Sequence, residues 1–227
     1  MHNQIKSLTK QFTTVLGIDA LADDYLPLDL SVHNEVLKAS LHAYSISQDW
    51  EEYIHHLLVK SDKKVAYGGY LEHRFLYERS SYFTKVEPSK VRNIHLGIDL
   101  WCPSRTPVIT PLDGIIHSFQ NNLNYGDYGP TIILEHLVNE RSFYTLYGHL
   151  TEESIQNKCV GDKIQKGEVF AALGDASVNG DYAPHLHFQL IFDIGDYKGD
   201  YPGVSSLIDI TYFEQNCPDP NLLLKIY

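Results

Sequence analysis

Cysteine is scarce in this chain, which has only Cys102, Cys159 and Cys217 among 227 residues. So small and odd a number does not make a disulfide framework, and no pair has the C-x-x-C spacing of a zinc-thiolate or redox site. We therefore expect three free thiols in a reducing compartment. Residues 1–25 make a poor signal peptide, because Asp19 and polar residues interrupt the apolar part and no small-residue cleavage site follows. A cytoplasmic location is the expectation, with export by another route left open.

Long hydrophobic runs and basic clusters are also missing. No stretch approaches the roughly 18 consecutive apolar residues that a spanning helix needs, so no membrane span is predicted. The chain has 18 Lys and Arg against 29 Asp and Glu, a net charge of −11. This balance, without any Lys/Arg run, argues against a nucleic-acid partner held through its phosphates.

The remaining pattern predicts a mainly β protein with a small α-rich N-terminal segment. Residues 30–60 show helical periodicity in SVHNEVLKASLHAY and in SQDWEEYIHHLL, where Ser47 is a plausible N-cap. After residue 65, short β-rich runs alternate with turn residues, which favours an antiparallel sandwich or barrel. In VGDKIQKGE, Gly161 and Gly167 are expected to bracket a tight hairpin. Both TPLDGIIHSF and VGDKIQKGEVFAALG place a Gly turn beside an apolar strand. Together they resemble the lipoyl/biotinyl-type barrel-sandwich hybrid, but the lysine of a carrier turn is missing.

Two pairs of residues carry side chains suited to metal binding. In PHLHFQL, His185 and His187 are two positions apart, so on a strand both rings leave the same face about 6.6 Å apart. In RNIHLGIDLW, His95 and Asp99 are four positions apart, and a straight strand would hold them ~13 Å apart. A kink or bulge at Gly97 between them would let the two side chains converge.

A fifth residue, His149, ends the aromatic run LYGHL. Each residue alone has an ordinary explanation: His95 could cap a strand, Asp99 could hydrogen-bond a turn, and His149 could be a satisfied core histidine. Five such residues in one β domain favour a shared site. Imidazole and carboxylate groups that converge in this way are ligands that zinc accepts.

The order H-x-x-x-D, Y-x-H-L, P-H-L-H-F resembles the LytM/lysostaphin-like zinc metallopeptidases, which carry a duplicated hybrid motif and cut peptide crosslinks of bacterial cell walls. The resemblance covers about residues 92–193. It implies that His95, Asp99 and His187 bind one Zn²⁺ per chain and that His149 and His185 are the catalytic, non-ligand pair. It further implies a metalloendopeptidase that hydrolyses peptidoglycan-type or glycine-containing peptides through a zinc-bound water assisted by the two histidines.

The resemblance also defines a domain organisation. We expect an N-terminal helical or accessory region at 1–90, the metallopeptidase domain at 91–196, and a C-terminal extension packed on the core at 197–227. His136 recurs at a strand end of the family, where it looks structural. In the N-terminal region, Glu72, Arg74, Glu78 and Arg79 are either an accessory binding surface or, as the simpler interpretation, solvated charges beside an aromatic-rich strand pair.

The chain departs from the family pattern just before the second histidine pair. The Gly- and Ser/Thr-rich run usual there is replaced by Asp181, Tyr182 and Ala183 in SVNGDYAPHLHF. Because this segment borders the substrate cleft in the family, two alternatives stay open. One is a cytoplasmic zinc amidase or peptidase acting on a small non-wall substrate. The other is a binding or regulatory module whose site is inactive or occluded by the N-terminal segment. Oligomeric state is not predicted.

Overall fold

The computed structural model of the chain describes residues 1–35, 37, 46–84 and 87–227. Its strands are β1 (Tyr25–Pro27), β2 (Val65–Gly68), β3 (Arg92–His95), β4 (Ile98–Trp101), β5 (Pro107–Ile109), β6 (Gly114–Asn122), β7 (Gly129–Val138), β8 (Arg141–Gly148), β9 (Lys163–Ile164), β10 (Val169–Ala172), β11 (His185–Ile191) and β12 (Val204–Ser206). The helices are α1 (His2–Leu8), α2 (Ser47–Ser61), α3 (Ser81–Thr84), α4 (Glu152–Ile155), α5 (Ile210–Asn216) and α6 (Asn221–Leu224), with 3-10 turns at Ala22–Asp24, Phe75–Arg79 and Pro88–Lys90.

Eight strands form one sheet in the order β1-β2-β4-β11-β8-β7-β6-β9, and two further pairs, β5 with β10 and β3 with β12, lie beside it. Within the eight-stranded sheet, β1 and β2 are parallel and the other neighbours are antiparallel. The mainly β prediction is confirmed. The barrel-sandwich hybrid, the α-rich N-terminal segment and the domain limits at 90 and 196 stay predictions.

The central strand β11 separates two environments. All seven of its residues are buried. Because side chains alternate along a strand, Leu186, Phe188 and Leu190 face the main core, where they cluster with Ile98 and Leu100 of β4. The opposite face carries His185, His187 and Gln189. The main core therefore supports the strand from one side while the polar face is left for the site.

The N-terminal region contributes to the same sheet. Strand β2 pairs antiparallel with β4, so that Gly68 lies opposite Asp99. Helix α2 packs Trp50, Ile54 and Leu58 against Trp101 of β4 and Ala183, which confirms the helical periodicity of SQDWEEYIHHLL. The other predicted helix, SVHNEVLKASLHAY, falls largely on residues 36 and 38–45, which lie outside the described residues.

Two local predictions are wrong. Ser47 is the first residue of α2 and Ile46 is the N-cap; the Ser47 hydroxyl instead donates to Oδ1 of Asp181 at 2.6 Å. Strands β9 and β10 form no hairpin with each other: β9 pairs with β6 and β10 pairs with β5. Gly161 and Gly167 do take the left-handed backbone that a turn demands, with φ of 96° and 79°. The turns were predictable, but the strand partners depend on the tertiary fold.

No helix among the described residues is long and apolar enough to cross a membrane.

Candidate metal centre and its surroundings

The three predicted ligands converge on the polar face of the main sheet. The antiparallel pairing of β11 with β4 places His187 directly opposite Asp99. His95 ends β3, and its side chain reaches the same point from the adjoining two-stranded sheet. His95 is 1% exposed, Asp99 2% and His187 3%. The site is therefore buried.

Gly97 does not form the expected kink within one strand but lies between two strands. The chain leaves one strand at His95 and enters another at Ile98, so β3 and β4 belong to different sheets. A Cβ at Gly97 would lie 2.7 Å from Cε1 of His187 and 2.7 Å from the carbonyl oxygen of Phe188. Glycine is required here because His187, one of the predicted ligands, packs directly on the backbone.

The three ligand atoms have a spacing that fits a zinc ion. Nε2 of His95 lies 2.9 Å from Nδ1 of His187, and both nitrogens lie 3.2 Å from Oδ1 of Asp99. Ligands at 2.0–2.1 Å from a tetrahedral ion are roughly 3.3 Å apart, so the observed triangle needs only small shifts to hold one. Two imidazoles with one carboxylate are also a donor set of catalytic zinc sites.

Outer hydrogen bonds select the nitrogen that each ligand histidine presents. Nδ1 of His95 donates to the carbonyl oxygen of Gly69 at 3.1 Å, which leaves Nε2 for the metal. Nε2 of His187 donates to Oε1 of Gln189 at 2.9 Å, which leaves Nδ1 for the metal. Such partners fix both the tautomer and the ring orientation. Gln189 was missed by sequence reasoning, although it lies two residues beyond His187 and therefore on the same strand face.

His149 and His185 lie side by side next to the ligands, with ring centroids 4.2 Å apart. Nδ1 of His149 donates to the carbonyl oxygen of Asn179, and Nδ1 of His185 donates to that of Ala183, both at 2.8 Å. The Nε2 atom of each ring is thus a proton acceptor. Nε2 of His185 is 3.8 Å from Oδ1 of Asp99. His149 has a left-handed backbone with φ of 63°, a strained conformation that orients its ring at the end of β8.

Burial keeps these histidines neutral. It lowers the pKa of His95 to about 3, with the nearby positive charge of Arg74 acting in the same direction. Burial also lowers the pKa of His149 well below its usual value, helped by His185 and His187, and lowers the pKa of His185. Neutral imidazole is the form that binds a metal or accepts a proton. His95, His149 and His185 are therefore in the form that these roles require at neutral pH.

Asp99 is held as a carboxylate by an N-terminal residue, Arg74. The Nη1 atom of Arg74 donates to Oδ2 of Asp99 at 2.5 Å, and its Nε donates to Glu72 at 2.6 Å. Burial alone would raise the pKa of Asp99, but the positive charge of Arg74 opposes it, and that pKa lies well below the usual range. Because Arg74 uses Oδ2, Oδ1 remains directed at the two ligand histidines.

Comparison with known proteins agrees with this geometry. The sequence model of peptidase family M23 matches residues 93–198, a range that contains all five predicted site residues. Over residues 93–198 the chain is therefore similar to peptidase family M23, and we call this segment the M23 domain. A metalloprotease of Haemophilus influenzae with no assigned substrate is 30% identical over 115 residues, and the peptidoglycan DD-endopeptidase ShyA of Vibrio cholerae is 29% identical over 117.

The M23 domain accounts for only part of these relatives. The matches cover 49% and 50% of this chain but 22% and 24% of the two proteins, so the chain spans about a quarter of the length of the curated relatives. Among solved structures, the catalytic domain of lysostaphin from Staphylococcus simulans is 23% identical, with a TM-score of 0.37 over 54% of this chain and 80% of that one.

Two predictions for residues outside the predicted ligand set have different outcomes. Arg74 is 2% exposed and belongs to the site, so the interpretation of this residue as a solvated charge is wrong. His136 lies on β7, where Nδ1 donates to the carbonyl oxygen of Asp113 at 2.8 Å and Nε2 lies 2.7 Å from the hydroxyl of Thr145. Its assignment as a structural histidine stays a prediction, and these contacts agree with it.

Proposed function

We propose that the protein is a zinc-dependent peptidase that hydrolyses a peptide bond at the His95–Asp99–His187 centre. The observation that carries the proposal is the convergence of three buried ligand atoms beside two neutral, non-ligand histidines. A zinc ion at this centre would act as a Lewis acid and lower the pKa of a bound water toward ~7. The three protein ligands leave a fourth position open, as in catalytic rather than structural sites.

In this proposal His149 and His185 supply the proton transfers and hydrogen bonds of the reaction. Each ring has its Nδ1 proton engaged by a backbone carbonyl, so each presents Nε2 toward the site. One imidazole accepts the proton of the attacking water and, once protonated, delivers it to the leaving amine. The other, whose Nε2 is likewise an acceptor, receives a hydrogen bond from the second hydrogen of the same water and so orients it for attack.

Two classes of substrate are candidates, one taken from the family and one from the residues that line the cavity. Because a similar domain occurs in a peptidoglycan DD-endopeptidase, peptidoglycan-type or glycine-containing peptides are the first candidates. A second candidate, a small non-wall peptide or amide, is favoured by the position of Arg74 and Trp50, since both line the cavity over the site. The three free thiols agree with a cytoplasmic location, which remains part of the proposal.

The proposal is tested by metal analysis combined with two variants. We expect about one zinc per chain and hydrolysis, abolished by chelation, of at least one member of a panel of wall peptides, oligoglycines and small amides. His187→Ala should lose both metal and hydrolysis, whereas His149→Ala should keep the metal and lose hydrolysis. Absence of stoichiometric transition metal, or variants as active as the parent, would rule the proposal out, and a protein that binds zinc without hydrolysis would favour the regulatory module.

A further inference from the structure

The cavity above the metal-binding residues is small. It has a volume of ≈ 240 Å³ and is lined by Asp99, His149, His185 and His187. Pockets for drug-sized ligands occupy roughly 300–1,000 Å³, so this one lies below that range. A sphere of the same volume is roughly 8 Å across, the length of two to three residues of extended chain.

One wall of the cavity comes from the N-terminal region. Trp50, Leu76, Tyr77 and Phe83 line it. The hydroxyl of Ser80 donates to the carbonyl oxygen of Tyr125 at 2.6 Å, which attaches this segment to the M23 domain.

The same wall has two further attachments. One is the hydrogen bond from Ser47 to Asp181, and the other is the buried ion pair of Arg74 with Asp99. Asp181 belongs to the segment in which the chain departs from the family pattern. The departure is therefore linked to the docking of the N-terminal wall.

A second wall of the cavity comes from the C-terminal segment. Tyr201, Pro202 and Gly203 line the cavity. The carbonyl oxygen of Gly203 accepts from the amide of Leu96 at 2.8 Å, and the carbonyl oxygen of Pro202 accepts from Nε2 of Gln189 at 3.1 Å. Since Leu96 follows one ligand and Gln189 supports another, this wall is fixed to the site itself.

We infer that the site accepts short peptides or small amides of about two to three residues and excludes the interior of a longer chain. The inference rests on the proposed hydrolysis for its reaction, but the length limit follows from the walls alone. A substrate cleaved within a long chain must leave the site in both directions, and here segments from the N-terminal and C-terminal regions both line the cavity and are hydrogen-bonded to the residues around it.

Tryptophan fluorescence can report whether a peptide occupies the cavity. The chain has two tryptophans, Trp50 and Trp101, and both line the cavity. The full-length, zinc-loaded protein is titrated with di-, tri- and pentaglycine while its tryptophan fluorescence is recorded. Hydrolysis of the same three peptides is measured by amine release.

We expect the short peptides to change the fluorescence and pentaglycine to bind at least about tenfold more weakly, a difference of about 1.4 kcal/mol, with a parallel fall in kcat/KM. Leu76→Ala shortens a wall side chain and should reduce this discrimination. Leu123→Ala, the same substitution at an exposed residue that does not line the cavity, should leave it unchanged.

The possible results separate the two proposals. Equal binding and cleavage of tri- and pentaglycine, or binding of neither short peptide, overturns the length limit whether or not the protein is a peptidase. Length-dependent binding without cleavage of any peptide supports the length limit and overturns the proposed hydrolysis. Unchanged discrimination in Leu76→Ala removes the N-terminal wall as its cause.

Discussion

Arg74 and Asp99 form a buried ion pair between the N-terminal region and the metal centre, with Nη1 and Oδ2 2.5 Å apart. The two oxygens of the Asp99 carboxylate have different partners. Oδ2 accepts from the guanidinium, and Oδ1 lies 3.2 Å from each ligand histidine nitrogen. A metal at the centre and Arg74 would therefore compensate the same negative charge from opposite sides.

Replacement of Arg74 by methionine should destabilise the metal-free protein more than the zinc-loaded protein. Removal of one member of a buried ion pair costs about 3–5 kcal/mol, because the remaining charge is left uncompensated. Zinc would restore part of that compensation at Asp99. Denaturant unfolding of both forms measures the two losses, and a difference of about 1.4 kcal/mol corresponds to tenfold tighter zinc binding in the variant.

The control for Arg74 is Arg105→Met, which removes an exposed ion pair with Glu153. Exposed pairs contribute little, so we expect no measurable change in either form. Equal losses of stability in the metal-free and zinc-loaded forms of Arg74→Met would contradict the shared compensation of Asp99.

Replacement of Gln189 by methionine should weaken zinc binding by roughly 10–100-fold. The change removes the acceptor of the His187 Nε2 proton, so that the ring no longer holds Nδ1 toward the metal. Competition with a chromophoric chelator measures the affinity. Gln165→Met, at an exposed glutamine, is the matched control. Unchanged affinity in Gln189→Met would show that the tautomer of His187 is set by another group.

Replacement of Gly97 by alanine should lower both stability and metal occupancy. The new Cβ would lie 2.7 Å from the His187 ring and from the Phe188 backbone, so β11 must move. Overpacking of this kind costs about 1–3 kcal/mol. Thermal unfolding and metal analysis of the purified variant check the two effects together. A variant with the parent's melting temperature and zinc content would show that the backbone relaxes without cost.

The metal-free protein should lose stability as the pH falls below about 6.5. Burial lowers the pKa of His95 to about 3 and that of His136 to about 4, and it also lowers the pKa values of His149 and His185. Between these values and the unfolded pKa, the unfolded chain binds more protons than the folded one. Each histidine therefore removes roughly 1.4 kcal/mol per pH unit as the pH decreases through that window.

Urea unfolding at several pH values between 7 and 5 measures this slope. His136→Gln removes one of the four histidines without touching the metal centre. The slope of its free energy of unfolding against pH should therefore be smaller by about 1.4 kcal/mol per pH unit, the contribution of one proton. A free energy of unfolding that stays constant over this range would contradict the assignment of neutral, buried histidines.

The site was more predictable than its surroundings because its signals are local. His185 and His187 share a strand face through simple alternation, and the spacing of His95 and Asp99 around Gly97 marked a bend. The role of Arg74 had no such signal: its partner lies 25 positions away along the chain, and contact requires the N-terminal region to dock. The same reason explains why the tight hairpin predicted between Gly161 and Gly167 is absent: β9 pairs with β6 and β10 with β5, and these partners depend on the whole sheet.

Strand β2 has a consequence for any shortened form of this protein. It lies against β4, the strand that carries Asp99, and β1 continues the sheet beyond it. A fragment starting at residue 93, where the family match begins, would leave β4 as an edge strand with unpaired amide and carbonyl groups. Such edges recruit other chains. The N-terminal region therefore also protects the sheet from edge-to-edge aggregation, and studies of the M23 domain are better made with the full chain.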